Sequence, residues 1–273
     1  MRSASSSLRP PSREREHAGA CPRAHTRGPD GADGQNIVVE TVQFTTGPYK
    51  LEGELAYANP PFFPPACAGE EGGMRGGVVL AGSHPLLGGN MHNNVVRGLG
   101  DGLAEHGWAT LRFNYRGVGR SEGPRVDVAQ HMAEFWKTSH VEGEMDLWQD
   151  VQGAAVYLRP IIGPTRPLVL IGYSFGCALL PSLCRIEAPA AIVLIAPPLG
   201  KHDYTDFATV KSPLLAIMST DDFTLEPARL HAWFDCLPEP KSLVQAAADN
   251  HFFRGHEPWL VETVSAFLSE QVG

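Results

Sequence analysis

The sequence lacks several features that mark membrane, metal-binding and nucleic-acid-binding proteins. Its 273 residues contain no apolar run near the roughly 20 residues that a membrane-spanning helix needs. Five cysteines are scattered without a Cys-x-x-Cys pair, which argues against both zinc and a disulfide framework and favours a reducing compartment. The 22 basic residues are outnumbered by 30 acidic ones, and the net charge of −8 argues against nucleic acid as a partner. We therefore expect a soluble, cytoplasmic protein.

The first 36 residues differ in composition from the rest of the chain. They contain six arginines against four acidic residues and almost no large apolar side chains, so they carry +2 and leave −10 for residues 37–273. Such a segment buries too little apolar surface to offset the entropy of ordering it. We expect residues 1–36 to be a disordered leader and residues 37–273 to form the folded domain. The Ser- and Arg-rich start also allows an organelle transit peptide, although Glu14 and Glu16 argue against it.

From residue 37 onward, short apolar runs alternate with helical patterns. The runs predict eight strands, at residues 37–44, 51–57, 77–81, 109–113, 168–171, 191–195, 214–218 and 242–246. The patterns between them predict helices at residues 95–103, 147–158, 174–186, 227–236 and 259–268, the second one stopping at Pro160. Wholly apolar strands are typical of parallel sheets covered on both faces. The sequence therefore predicts an α/β fold with a mostly parallel, eight-stranded, doubly wound sheet and helices on both faces.

A Gly-x-Ser-x-Gly motif follows the apolar run at residues 168–171 and precedes a helix of small residues. In that context the motif is typical of a nucleophile elbow, in which Ser174 occupies a strained strand-to-helix turn. Gly172 and Gly176 remove side chains that would collide around that turn. The helix N-terminus favours negative charge that develops at the serine oxygen. We predict that Ser174 is a nucleophile, the alternative being a turn made tight for packing alone.

A serine hydroxyl needs a base and an orienting acid, which follow it in the order Ser, acid, His in this kind of fold. The strand at residues 214–218 leads into Asp221 and Asp222, and we favour Asp222 because of its distance from the end of the strand. His251 follows the last strand and precedes the last helix, so it should lie at the carboxyl edge of the sheet. His256, five residues on, is the alternative base, and the alternative for His251 itself is a surface histidine without a catalytic role.

The oxyanion hole should combine the backbone N–H of Phe175 with one from the loop after the strand at residues 77–81. Pro85 in that loop has no N–H, so the second donor is expected to be His84 or Leu86. The side chain of His84 is expected to be structural. These predicted groups need no metal ion and no organic cofactor.

Two further segments resemble the α/β-hydrolase superfamily. They are His84-Pro85-Leu86-Leu87-Gly88-Gly89 and the block Arg112-Phe113-Asn114-Tyr115-Arg116-Gly117-Val118-Gly119-Arg120-Ser121-Glu122-Gly123. Together with Gly-Tyr-Ser-Phe-Gly, they are most similar to small uncapped serine hydrolases related to dienelactone hydrolases and serine aminopeptidases. The likeness covers roughly residues 37–270. It implies the α/β-hydrolase fold and the roles of nucleophile, acid and base for Ser174, Asp222 and His251.

The chain departs from these relatives at three points. Gly82-Ser83 stands where the loop motif has a first His-Pro, which leaves open which amide completes the oxyanion hole. Ser174 replaces the cysteine nucleophile of dienelactone hydrolases, so their activity does not carry over. Residues 124–143 are extra sequence, which either forms an amphipathic lid or packs on the sheet edge. Only 16 residues, 197–212, are available where this superfamily inserts caps, so a full cap domain is excluded.

These features predict a serine hydrolase that cleaves small-molecule carboxylic esters or thioesters through an acyl-enzyme. A peptidase or amidase of the same fold is the first alternative, and nothing in the sequence suggests a charged specificity pocket for a peptide. A non-catalytic protein that uses the fold to bind a ligand is the second. The intact order of Ser174, Asp222 and His251 argues against this second alternative, because a binding protein does not need all three.

Overall fold

This computed structural model describes residues 37–59, 73–220, 222, 227–246 and 250–273. The fold that these residues form is built on one sheet of eight strands. Its strands are β1 (Ile37–Thr46), β2 (Tyr49–Ala58), β3 (Gly76–Ala81), β4 (Trp108–Phe113), β5 (Leu168–Tyr173), β6 (Ala191–Ile195), β7 (Leu214–Ser219) and β8 (Lys241–Ala246). The helices are α1 (Asn94–Glu105), α2 (Val128–Thr138), α3 (Trp148–Ile162), α4 (Phe175–Cys184), α5 (Pro227–Asp235) and α6 (Glu257–Gln271). The predicted leader, residues 1–36, and the alternative acid Asp221 lie outside the described residues.

The eight strands follow the order β1-β2-β4-β3-β5-β6-β7-β8. β1 pairs antiparallel with β2, and β2 pairs antiparallel with β4. The pairs from β4 through β3, β5, β6 and β7 to β8 are all parallel. This topology confirms the predicted eight-stranded, mostly parallel sheet of the α/β-hydrolase fold.

Successive side chains of the central strands enter two separate cores, one on each face of the sheet, because side chains alternate along a strand. Val79 and Leu170 pack with α3 and α4 on one face. Val78 and Val169 pack with α1 and α6 on the other. β3, β5, β6 and β7 are buried along their whole length, which explains why they appear in the sequence as apolar runs without alternation.

Local signals set the bounds of several helices. The Asn93 side chain accepts a hydrogen bond from the Val95 amide at 3.0 Å and starts α1. The prediction that the helix at residues 147–158 stops at Pro160 is wrong, since α3 continues to Ile162. Pro160 lies in the last turn, so the interruption it causes affects only the end of the helix, which Gly163 then closes.

No helix among the described residues is both long enough and apolar enough to cross a lipid bilayer. This finding agrees with the lack of long apolar runs in the sequence.

Candidate active site

Ser174 lies in a sharp turn between β5 and α4, at the carboxyl edge of the sheet. Its backbone has φ 55° and ψ −122°, a conformation that costs a non-glycine residue on the order of 1–3 kcal/mol. Two hydrogen bonds hold the turn: the Ser174 amide donates to the Ile195 carbonyl at 2.8 Å, and the Cys177 amide donates to the Ser174 carbonyl at 3.0 Å. The surrounding sheet and helix therefore impose this strained conformation on the serine.

The glycines on either side of Ser174 are required by close backbone contacts. A Cβ on Gly172 would lie 2.6 Å from the Cα of Cys177. A Cβ on Gly176 would lie 2.1 Å from the carbonyl oxygen of Ala81 and 2.7 Å from that of Gly82. These distances are shorter than a real Cβ contact allows, so both positions exclude any side chain.

The structure brings Ser174, Asp222 and His251 together in a chain of hydrogen bonds. Nε2 of His251 lies 2.9 Å from Oγ of Ser174. Nδ1 of His251 lies 2.9 and 3.0 Å from the two carboxylate oxygens of Asp222. The Asp222 and His251 side chains are only 1% and 5% exposed, so water competes little for these bonds. A carboxylate accepts only, which puts the imidazole proton on Nδ1 and leaves Nε2 free to accept the serine proton.

The backbone around His251 fixes the direction of its ring. The hydroxyl of Tyr173, the residue before the serine, donates to the carbonyl of His251 at 3.2 Å, and the two rings lie 5.7 Å apart. Burial raises the pKa of Tyr173 well above its usual value, as does the Asp222 carboxylate, so this hydroxyl keeps its proton at neutral pH. The alternative base His256 lies at the N-terminus of α6, and no hydrogen bond among the described residues joins it to Ser174.

The residues predicted for the oxyanion hole lie next to the first turn of α4. Phe175 is the first helical residue, so its N–H has no partner within the helix. The ring of His84 stacks on the ring of Phe175 at 4.1 Å between centroids. Leu86 lies in the 3-10 turn Pro85–Leu87. His84 is thus the loop residue in direct contact with Phe175.

A buried carboxylate that the sequence did not reveal holds His84 in place. Glu144 is 3% exposed, and its Oε2 accepts from Nε2 of His84 at 3.0 Å and from the Val141 amide at 2.7 Å. Its Oε1 accepts from Nδ1 of His140 at 3.0 Å. Burial opposes ionisation of Glu144, but these hydrogen bonds outweigh it and lower its pKa to about 2. Glu144 is therefore ionised at neutral pH, and it lies beside the candidate oxyanion loop.

A fourth nitrogen atom, from the His202 ring, lies near the Glu144 carboxylate. Nδ1 of His202 lies 3.9 Å from Oε1 of Glu144, and the His202 ring contacts that of Phe175 at 5.6 Å between centroids. Burial lowers the pKa of His202 to about 4, so its imidazole is neutral at pH 7. The histidines come from three loops far apart in the sequence, and their only local signal is the His140-x-x-x-Glu144 spacing.

The block at residues 112–123 supports the loops around the site. The Asn114 side chain donates to Glu52 at 2.7 Å and accepts from the Met91 amide at 2.9 Å. Arg116 donates to Asp150, which is fully buried, through its amide and its guanidinium. The residues that carry the family resemblance here are therefore structural, and they fix the chain between β4 and α3.

The extra segment at residues 124–143 contains α2, which packs on the turn Pro85–Leu87 and has no buried residue. The Phe135 ring contacts that of His84 at 6.2 Å, and the Lys201 ammonium lies 4.1 Å from the centre of the Phe135 ring. Trp136 is 78% exposed. α2 thus borders the site at the carboxyl edge of the sheet and is only loosely attached to it.

Comparisons with known proteins agree with this fold. A family model described as serine aminopeptidase, S33, matches residues 84–221, just over half of the chain. The match includes His84 and Ser174 and ends immediately before Asp222.

Two solved structures cover most of the chain. The structure of an α/β serine hydrolase without a lid from Xanthomonas campestris has 25% identity and a TM-score of 0.65, and the match covers 86% of this chain and 95% of that one. An α/β serine hydrolase homologue from Coxiella burnetii has 26% identity and a TM-score of 0.63, with 84% and 97% covered.

An uncharacterized protein of Rickettsia prowazekii (strain Madrid E) is 27% identical over 177 residues, which covers 63% of this chain. The matched region also spans only 63% of that protein's length.

Proposed function

The chain belongs to the serine aminopeptidase S33 family of the α/β-hydrolase superfamily, and on that premise we propose that it is a serine hydrolase that cleaves carboxylic esters or thioesters. The observation that carries the proposal is the continuous chain of short hydrogen bonds from Ser174 through His251 to Asp222, at 2.9 to 3.0 Å. Such an arrangement activates a hydroxyl that would otherwise be a poor nucleophile.

In the proposed mechanism His251 removes the proton of Ser174 as the serine oxygen attacks the substrate carbonyl. Asp222 keeps the imidazole proton on Nδ1 and stabilises the imidazolium that forms. The amides of Phe175 and His84 donate to the oxyanion of the tetrahedral intermediate. His251 then protonates the departing alcohol or thiol, and an acyl group remains on Ser174. Water attacks this acyl-enzyme with His251 again as the base, which releases the acid and restores the serine.

We favour the His84 amide over the Leu86 amide as the second oxyanion donor. A Cβ on Gly176 would lie 2.1 Å and 2.7 Å from the backbone oxygens of Ala81 and Gly82, so the chain leading to His84 runs against the first turn of α4. The His84 ring is held on both sides, by Glu144 at 3.0 Å and by the Phe175 ring. Leu86 lies two residues beyond His84, in the 3-10 turn Pro85–Leu87, and has no comparable anchor among the described contacts.

An ester or thioester is favoured over a peptide because an aminopeptidase must bind the α-ammonium group of its substrate. The buried carboxylates beside this site, Glu144 and Asp222, already accept hydrogen bonds from imidazole groups. An ammonium ion would therefore have to displace an imidazole hydrogen bond to pair with either carboxylate. The family description makes an aminoacyl amide the second candidate substrate.

A fluorophosphonate probe tests the nucleophile without knowledge of the natural substrate. The folded protein should form one covalent adduct at Ser174, and Ser174→Ala should abolish it. Ser182→Ala, a variant on the same helix, should label at the wild-type rate. No adduct on the folded protein, or an adduct that persists in Ser174→Ala, would contradict the proposal. A panel of p-nitrophenyl esters against aminoacyl p-nitroanilides then separates the two substrate classes, and faster turnover of the anilides would favour a peptidase.

A further inference from the structure

Three side chains from separate segments point ligand atoms at one another beside α2. They are Nδ1 of His140, which follows α2, Oε1 of Glu144 in the 3-10 turn Glu144–Leu147, and Nδ1 of His202, which follows β6. All three atoms lie within 4.8 Å of one another. Oε1 of Glu144 is 3.0 Å from the His140 nitrogen and 3.9 Å from the His202 nitrogen. The proposed acyl-transfer chemistry makes no use of this group.

We propose that His140, Glu144 and His202 form a binding site for a divalent transition metal ion, with Zn²⁺ as the best fit. Zinc binds nitrogen and oxygen ligands at about 2.0–2.2 Å, so ligands at tetrahedral angles lie roughly 3.4 Å apart. The observed separations of 3.0 and 3.9 Å lie on either side of that value. The His140 side chain is 53% exposed, so its ring has room to adjust to a metal ion.

The donor set selects the metal. Two imidazoles and one carboxylate suit Zn²⁺ and its neighbours in the first transition row, whereas Mg²⁺ and Ca²⁺ prefer oxygen ligands alone. His140 now donates its Nδ1 proton to Glu144, so metal binding requires the tautomer with the proton on Nε2. The exposure of the ring allows solvent to accept that proton's hydrogen bond. The imidazole then binds as a neutral ligand with no net loss of a proton.

The other carboxylate oxygen of Glu144, Oε2, is held by hydrogen bonds like those that orient metal-binding side chains in known metal sites. Oε2 accepts from the His84 imidazole and from the Val141 amide, which fixes the plane of the carboxylate and leaves Oε1 for the metal. Glu144 is also buried at 3% exposure, so this ligand is positioned before any ion arrives. An exposed cluster of carboxylates would lack this preorganisation.

A metal at this position would tie α2 to the body of the protein. α2 has no buried residue, and His140 comes two residues after its last turn, whereas His202 belongs to the loop after the buried strand β6. The site therefore joins a loosely packed helix at the mouth of the active site to a rigid part of the fold. We expect bound Zn²⁺ to slow the opening of α2.

Equilibrium competition with a chromophoric zinc chelator measures binding to the full-length protein. We expect one Zn²⁺ per chain at this site, with affinity at least tenfold lower in His140→Ala and in His202→Ala. His92→Ala, which changes an exposed histidine on another loop, should bind as the wild type does. His251→Ala should also bind normally, so the result does not depend on the proposed catalytic role of that residue. Because His140 is half exposed, its substitution should leave the fold intact even if His202→Ala is destabilising.

Two further measurements, one of visible absorption and one of amide hydrogen exchange, complete the test. Co²⁺ in place of zinc should give visible d–d absorption bands that disappear in His140→Ala, and Zn²⁺ should slow amide hydrogen exchange in residues 128–138 of the wild type only. Unchanged zinc affinity in both histidine variants would overturn the proposal, as would the absence of zinc binding by the wild type. Binding without slower exchange in α2 would refute the link to that helix.

Discussion

Replacement of Asp222 by asparagine should remove most of the reactivity of Ser174 while the fold stays intact. Both carboxylate oxygens of Asp222 lie within 3.0 Å of Nδ1 of His251, and the side chain is 1% exposed. An asparagine of nearly the same shape can offer its N–H to Nδ1, which moves the imidazole proton to Nε2. The ring would then present a donor to Oγ of Ser174, 2.9 Å away, where the reaction needs an acceptor.

The expected loss follows from this change of tautomer. The same substitution in a serine protease lowers kcat about 10⁴-fold, which is roughly 5.5 kcal/mol of transition-state stabilisation. We expect Asp222→Asn to slow both fluorophosphonate labelling and ester hydrolysis by about 10³- to 10⁴-fold, since the buried position gives water little access to replace the carboxylate. Thermal unfolding should shift little, because the substitution is isosteric.

Asp221→Asn is the matched control, since it makes the same chemical change one residue earlier. It should leave the labelling rate within a few-fold of the wild type. The reasoning is refuted if Asp222→Asn retains more than a tenth of the wild-type rate. It is equally refuted if Asp221→Asn causes the large loss, because Asp221 would then be the orienting acid.

Three further changes test how the site is supported. Gly176→Ala places a Cβ 2.1 Å from the backbone oxygen of Ala81, so it should lower the free energy of unfolding by about 1–3 kcal/mol and slow the labelling of Ser174. A melting temperature and a labelling rate equal to those of the wild type would contradict this close packing around the Ser174 turn. Arg112→Met leaves the carboxylates of Glu54 and Asp101 without their buried guanidinium partner, so it should lower the free energy of unfolding, measured in urea, by about 3 kcal/mol. A decrease below about 1 kcal/mol would mean that solvent screens these ion pairs. The Cys177 thiol is fully buried, and burial raises its pKa. A thiol reagent should therefore modify Cys177 only in denaturant, as mapped by mass spectrometry. Modification of the native protein would show that α4 opens.

The order and location of the secondary structure could be predicted because burial leaves a direct mark on composition. β5 and β6 are covered on both faces, so every position in them is apolar and the runs stand out from the polar loops. The position of Ser174 followed from the same marks, since its motif links such a run to a helix of small residues. These features depend on neighbours in the sequence.

Other parts of the site depend on contacts between distant segments, which local patterns do not record. The sequence favoured Asp222 over Asp221 only by a spacing argument, because adjacent acids after a strand look alike. The cluster at Glu144 was missed because its partners His84 and His202 lie 60 and 58 residues away on other loops. The sequence also left open whether residues 124–143 form a lid, since an amphipathic helix predicts a covered face without saying what covers it.

Strained backbone conformations occur next to the residues that carry the proposed chemistry. Among the described residues, the non-glycine residues with positive φ are Ser139, Ser174, Ala196 and Phe253. Ser174 carries the candidate nucleophile, Ala196 follows the residue whose carbonyl holds the Ser174 amide, and Phe253 closes the turn that begins beside His251. Ser139 ends α2 and directs the chain into His140. Conformations of this kind persist only where the surrounding structure enforces them. Three of the four therefore surround the proposed acyl-transfer site, and the fourth places a ligand of the proposed zinc site against Glu144.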